Sequence, residues 1–169
     1  EKHGMSAPKI VPLTNVGLLA SAVERAMARP SNLPGLVVMY GASGLGKTVG
    51  ATFAANIYRA YYVECRDTWT KKAFLAAVLR EMTTVDDTQY SLEKAAANVV
   101  TDIYNASHGT IVLIGEERVP FSLAKLERLH NRVLEWVPAQ PATQEDLRTL
   151  SAACYPHLQI HDDLLEDLR

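Results

Sequence analysis

The sequence predicts an α/β fold, a parallel sheet flanked by helices with a small helical extension toward its C-terminal end. Three observations predict it. The short continuous apolar run at Leu36–Tyr40 reads as a strand buried on both faces, and Thr110–Ile114 is a second, β-branched strand run. Segments with apolar residues at helical spacing alternate with these runs. Between the first run and the next helix lies Gly41-Ala42-Ser43-Gly44-Leu45-Gly46-Lys47-Thr48, so strand, glycine-rich loop and helix follow in that order.

The elements follow in turn. Val16, Leu19, Ala20 and Val23 space a helix over Asn15–Met27, with Thr14 or Asn15 as N-cap. Pro30, Pro34 and Gly35 break the chain before the Leu36–Tyr40 strand, and Lys47–Ala60 is rich in helix formers. Ala60–Glu64 reads as a second strand, and Thr70 as the cap of a helix over Lys71–Met82 whose apolar face is Phe74, Leu75, Val78 and Leu79. Ser91–Tyr104 is again helical. Thr110–Ile114 is a β-branched strand ended by Gly115. Leu123, Leu126, Leu129 and Val133 predict a helix over Leu123–Leu134, and Trp136–Val137 a last short strand. Pro138 and Pro141 mark a boundary, followed by small helices over Thr143–Ala153, capped by Thr143, and His161–Leu168. The organisation is a tail over 1–13, a core over 14–138 and a helical extension over 139–169.

Composition narrows the function classes. At 169 residues with 48% hydrophobic content, the chain can bury one ordinary core. A net charge of -2 gives no global attraction to nucleic acid, so any such contact must be local. No apolar run approaches the roughly 18 residues of a membrane helix, so no membrane partner is expected. Cys65 and Cys154 have neither metal-ligand spacing nor a disulfide framework, and read as small apolar residues of a reduced, cytoplasmic protein. His3, His108, His130, His157 and His161 show no metal spacing and read as structural or surface residues. The acidic run Asp162, Asp163, Glu166 and Asp167 reads as a solvated helix face.

The glycine loop carries the chemistry. It matches the phosphate-binding pattern G-x-x-x-x-G-K-[ST] in full. Gly41, Gly44 and Gly46 let the backbone turn its N–H groups inward as an anion nest. The next helix adds the positive end of its dipole. Lys47 can reach the β- and γ-phosphates of a nucleoside triphosphate, and the Thr48 hydroxyl can join a Mg²⁺ shell. The nucleotide contacts therefore run from Gly41 through Ala42, Ser43, Gly44, Leu45, Gly46, Lys47 and Thr48 to Val49, with ATP or ADP and Mg²⁺ as cofactors. Hydrolysis also needs a carboxylate at the end of a neighbouring strand. Glu116 and Glu117, after Thr110–Ile114, are one source, though Gly115 stands where a magnesium-binding Asp is expected. The alternative is a core strand ended by two solvated glutamates.

Leu33–Gly41 with the phosphate loop, Asp67–Thr70, Asp102–Glu117, Arg128–Val133 and Trp136–Pro141 together resemble the AAA+ ATPases of DNA transposition, the MuB-like family. The similarity spans nearly the whole chain. It implies an AAA+ sheet and reads residues 139–169 as the start of a helical lid. It also implies that Thr110–Gly115 is the sensor-1 strand, with a Walker B strand ending in Asp-Glu before Asp102. No such run occurs there. Either Walker B has been lost, or a segment is missing near Ala97–Asn98; the second is preferred, because a parallel sheet does not survive loss of a central strand.

The resemblance also implies site roles. Lys47, Glu116 and Arg132 are expected to be catalytic, Glu116 or Glu117 reporting on the γ-phosphate. Arg128 and Arg132, four residues apart on one helical face, are similar in place to a finger acting in trans on a neighbouring subunit, Arg132 fitting that place best with Arg128 beside it; the alternative is a solvated pair. Arg66, Trp69, Lys71 and Lys72 cluster at a helix start and are expected to touch DNA phosphates, the alternative being an ordinary charged helix start. The expected partners are double-stranded DNA bound without sequence preference, a transposase, and further copies of the chain in a ring or helical filament, in the cytoplasm of a bacterial host. Other implied readings are a helicase loader, a secretion-pathway ATPase, or a nucleotide-switched binding module that does not hydrolyse ATP.

Overall fold

The computed structural model describes residues 11, 13–64, 71–82, 103–105 and 107–154. Strands β1 (Leu36–Tyr40), β2 (Ile111–Gly115) and β3 (Val133–Pro138) form one parallel sheet in the order β2-β1-β3. The helices in chain order are α1 (Thr14–Met27), α2 (Lys47–Ile57), α3 (Lys71–Met82), α4 (Val119–Ala124), α5 (Glu127–His130) and α6 (Gln144–Cys154). The α/β architecture read from the alternating pattern is present.

β1 is central because it can be. Its aliphatic run leaves no polar side chain to hydrate, and Leu36, Val37, Val38 and Met39 are all fully buried. Each contributes roughly 1.5–3 kcal/mol by leaving water. On one face Val37 and Met39 pack with Leu19, Ala22, Val23 and Ala26 of α1, Ala54 of α2 and Val137 of β3. The α1 positions recur at three- and four-residue intervals, which makes a single apolar stripe. Leu36 and Val38 alternate to the opposite face.

The sheet ladder places the strand ends. Leu36 pairs with Ile111 and Tyr40 with Gly115, so β1 and β2 finish level with each other. β3 pairs with the other edge of β1, from Leu36–Val133 to Tyr40–Pro138, with a register irregularity after Leu36. The Ala139 N–H then donates to the Tyr40 carbonyl at 2.7 Å, extending that contact by one residue.

Several local expectations are corrected. Ala60–Glu64 forms no ladder, and Tyr61 is exposed. Strand propensity without a paired neighbour is not enough to make a strand. The helix over Lys47–Ala60 stops at Ile57, where Tyr58 takes the C-cap position and Arg59 adopts a φ of 49°. Leu123–Leu134 is not one helix: α4 ends at Lys125, Leu126 has a non-helical ψ of 73°, and α5 is a single turn. The Leu-Leu-Leu-Val periodicity there spans two helices and a strand, since Val133 is drawn into the ladder with β1. The last strand accordingly covers Val133–Pro138 rather than two residues. Neither Thr14 nor Asn15 caps α1; Leu13 is the N-cap, without a side-chain bond. Cys154, read as an apolar residue, is exposed at the last position of α6. Thr70, most of Ser91–Tyr104, Cys65, His3, His157, His161 and the helix over His161–Leu168 lie outside the described residues.

Two polar side chains pin the frame. The Arg29 guanidinium donates to the carbonyls of Ala26, Leu33, His108 and Gly109 and to the Thr110 hydroxyl, with the Tyr104 ring 6.0 Å away. It thereby fastens the end of α1 to the segment entering β2. Asp146 is buried and caps α6 reciprocally with Thr143: the Thr143 N–H donates to Oδ2 at 2.9 Å and the Asp146 N–H to the Thr143 hydroxyl at 3.0 Å. Its Oδ1 accepts from the Thr14 N–H at 2.7 Å, supplying the first turn of α1 with the acceptor it lacks. Thr143 thus caps its helix as its sequence position predicts. Burial alone would raise the Asp146 pKa, but the hydrogen bonds from Thr143 and Thr14 outweigh it and hold the carboxyl below its ordinary value.

Two stability predictions follow from these pins. Arg29→Ala is expected to cost about 2 kcal/mol by orphaning several carbonyls at once, read as a lower urea midpoint with unchanged slope. Arg29→Lys should restore little, because an ammonium cannot span the same acceptors. The lowered Asp146 pKa means its stabilisation is present above the unfolded-state value and is lost as pH falls through the folded-state value. Asp146→Asn should therefore destabilise the chain at neutral pH, with the gap to wild type closing in acid denaturation profiles below the ordinary carboxylate range.

Candidate functional site

The site forms where β1 ends. At the C-terminal edge of a parallel sheet the chain must leave the plane, and residues from several loops meet there. Tyr40 leads into the glycine loop, and φ values of 85° at Gly44 and 73° at Gly46 turn the backbone in a way that costs other residues about 1–2 kcal/mol each. Gly46 is the N-cap of α2, and the first intrahelical bond runs from the Gly50 N–H to the Gly46 carbonyl. The amides of Lys47, Thr48 and Val49 precede that bond, in the turn for which a helix has no acceptor of its own. Thr48 and Val49 are exposed, so this turn is open to a ligand.

Lys47 supplies the charge. Its ammonium donates to the carbonyls of Gly41 at 2.8 Å and Ala42 at 2.6 Å, folding the side chain back across the loop. A phosphate arriving at the nest would offer the ammonium charged acceptors in place of these neutral ones. Loop, lysine and helix start are thus assembled in one place.

Across from the loop, the end of β2 contributes the opposing wall. A cleft of about 220 Å³ is lined by Ala42, Ser43, Glu116, Glu117 and Arg118. This follows from the ladder, since Tyr40 and Gly115 pair and the next residues on each strand diverge from the same level. Gly115 packs closely on α4: a Cβ there would meet the Val119 Cγ2 at 2.3 Å. A side chain at 115 therefore requires the Val119 side chain to move. Phosphates fit the loop, and a Mg²⁺ could be shared among them, the Thr48 hydroxyl and a glutamate of the facing wall. Among the described residues no group of three or more His, Cys, Asp or Glu side chains is placed to hold a metal by itself.

The other predicted site residues fare differently. Arg128 and Arg132 do not share a helical face, because α5 ends at His130 and Arg132 lies in the turn before β3. Arg132 is tied within its own chain, donating to the Arg128 carbonyl at 2.6 Å and to the Asn105 side chain at 3.2 and 3.3 Å. Arg128 is exposed. Arg66 and Trp69 lie outside the described residues, as do the side chains of Lys71 and Lys72, whose backbone forms the first turn of α3. His108 and His130 are exposed and meet aromatic rings, His108 beside Tyr104 and His130 beside Trp136.

Sequence reasoning missed Arg118 and Asn15. Arg118 follows the two glutamates and could have been found from its place at a parallel strand's C-terminal end. Asn15, read only as a helix cap, instead bonds to the phosphate loop itself: its side-chain N–H₂ donates to the Leu45 carbonyl at 2.8 Å.

No protein-family model matches this chain, and no curated protein matches it. No helix among the described residues is long and apolar enough to cross a membrane.

The arginine geometry yields a test of roles. Arg132→Ala should lower thermal stability by about 1 kcal/mol through loss of the Asn105 and Arg128 bonds, in dilute chain and without nucleotide. Arg128→Ala should leave the unfolding curve of the same sample unmoved.

Proposed function

We propose that this chain is an ATP-binding P-loop protein of the AAA+ type, which assembles on double-stranded DNA without sequence preference and delivers that DNA to a transposase. The observation that carries the reading is the phosphate loop: two left-handed glycines, the inward-folded Lys47 and the open first turn of α2, set at the end of the central parallel strand. The direct pairing of β2 with β1 supports assigning β2 as the sensor-1 strand, with Glu116 or Glu117 facing the phosphates across the cleft. The resemblance supplies the DNA and transposase roles, with Lys71 and Lys72 at the start of α3 beside Arg66 and Trp69 as the phosphate-contacting cluster. Residues 139–169 would begin the lid. The exposure of Arg128 favours it over the self-bonded Arg132 as the finger acting in trans.

A second reading has its own support. The sequence before Asp102 contains no apolar run ending in Asp-Glu, the carboxylates that turnover requires. A nucleotide-switched binding module, gripping ATP without turnover, fits that feature.

Lys47→Ala is expected to weaken Mg²⁺-ATP binding about 10- to 100-fold, the loss of one or two charge-assisted hydrogen bonds, measured by titration with a fluorescent analogue. The same variant should lose ATP-dependent retention of plasmid DNA at low salt. Unchanged nucleotide affinity would overturn the phosphate-loop assignment. Nucleotide binding without any DNA retention by the wild-type chain would overturn the DNA role alone.

A further inference from the structure

The first two residues of α1 join three separate parts of the molecule. Asn15 is buried, and both donor directions of its side-chain amide and one acceptor direction of Oδ1 are used. Nδ2 donates to the carbonyls of Leu45 at 2.8 Å and Gln140 at 2.7 Å, while Oδ1 accepts from the Gln140 N–H at 2.8 Å. Leu45 sits inside the phosphate loop, and Gln140 lies just past β3. One residue earlier, the Thr14 N–H is bonded to Asp146, the buried cap of α6. Phosphate loop, β3 exit and α6 are thus fastened to adjacent residues of one rigid helix.

The bond to Leu45 has a directional consequence. In a planar trans peptide the carbonyl and the following N–H point in opposite directions. Holding the Leu45 carbonyl toward Asn15 therefore aims the Gly46 N–H away from α1. That N–H belongs to the left-handed glycine that opens α2, one of the amides an anion nest uses. Glycine on its own would let this peptide rotate freely. Asn15 removes the freedom that Gly44 and Gly46 introduce.

We propose that Asn15 is a positioning residue for the phosphate loop and that it couples nucleotide capture to the docking of α6. The inference rests on the nucleotide-binding reading above and adds to it a mechanical link toward the C-terminal helix. When α6 is seated, Asp146 holds Thr14 and fixes the start of α1, and Asn15 then holds Leu45. When phosphates fix the loop, the same chain of bonds runs in reverse, because coupling between two sites is reciprocal.

The test uses the full chain with Mg²⁺ and a non-hydrolysable ATP analogue. Hydrogen exchange of the α6 amides, Gln144–Cys154, is followed with and without the analogue. The wild type should show slower exchange in α6 on binding. Asn15→Asp keeps the shape and the acceptor but sets a carboxylate against the Leu45 and Gln140 carbonyls; it should bind the analogue about tenfold more weakly and lose the α6 response. Asp146→Asn, which leaves the loop contact in place, should keep most of the affinity while weakening the α6 response, so a folding defect in Asn15→Asp does not decide the outcome. Wild-type binding with unchanged α6 exchange overturns the coupling, and wild-type affinity in Asn15→Asp overturns the positioning role. A wild-type chain that binds no analogue at all overturns the underlying nucleotide reading instead.

Discussion

The complete burial of Leu36–Met39 in β1 is the constraint on which the rest of the structure depends. A parallel strand with both faces covered must find its hydrogen bonds in two neighbouring strands and its packing in helices on its faces. Leu36–Tyr40 meets the first demand through β2 and β3, and the stripe of α1 helps meet the second. Nothing else in the described residues is buried so fully over so many consecutive positions. Because β1 is central, the loop that leaves it starts at the middle of the sheet edge. The ends of both neighbouring strands therefore reach the same place: Gly115 arrives level with Tyr40 on one side and Pro138 on the other.

That arrangement brings three loops together and leaves their backbone groups to be satisfied by side chains. Arg29 does this at the N-terminal end of the sheet, gathering carbonyls from the α1 end and the β2 entry. Asn15 does it at the opposite end, gathering carbonyls from the phosphate loop and the β3 exit. Asn15 is in the first turn of α1, and Arg29 lies just past its C-cap, Ala28. The helix that packs on β1 through its apolar stripe thus also fixes the register of the polar loops above and below. The Arg25–Glu135 ion pair between α1 and β3 is exposed by comparison and contributes little beyond orientation.

What was legible in the sequence follows from how local each signal is. Leu36–Tyr40 and Lys71–Met82 agree with the structure to the residue, since one is an unbroken aliphatic run and the other a helix of strong formers. The phosphate loop was legible because its pattern names a backbone conformation as well as residue types. Failures came where tertiary pairing decides. Val133 has helical spacing from Leu129 yet pairs with Leu36, and Ala60–Glu64 has strand propensity without a partner strand among the described residues. The roles of Asn15 and Arg29 were illegible for a different reason. Their partners lie up to 125 residues away, and several are main-chain carbonyls, which carry no sequence identity.

The outer side of β2 sets grip apart from turnover. β2 is as aliphatic as β1, but its residues are only partly buried, Ile114 is exposed, and Val49 and Ile57 of the adjoining α2 are exposed too. A parallel strand of this composition ordinarily has a neighbour on each edge. On the proposed reading, a Walker B strand, for which the sequence before Asp102 holds no apolar run ending in Asp-Glu, would pair with this edge. It would run parallel to β2 and bring its terminal carboxylates to the level of Glu116, about one strand spacing of 4.8 Å farther from the phosphate loop. On the proposed reading a grip on phosphates needs none of this, since the loop and its supports come from α1, β1 and α2. Turnover, on the same reading, would depend on what occupies the outer edge of β2, so loss of that strand would leave a nucleotide-binding module with its loop intact.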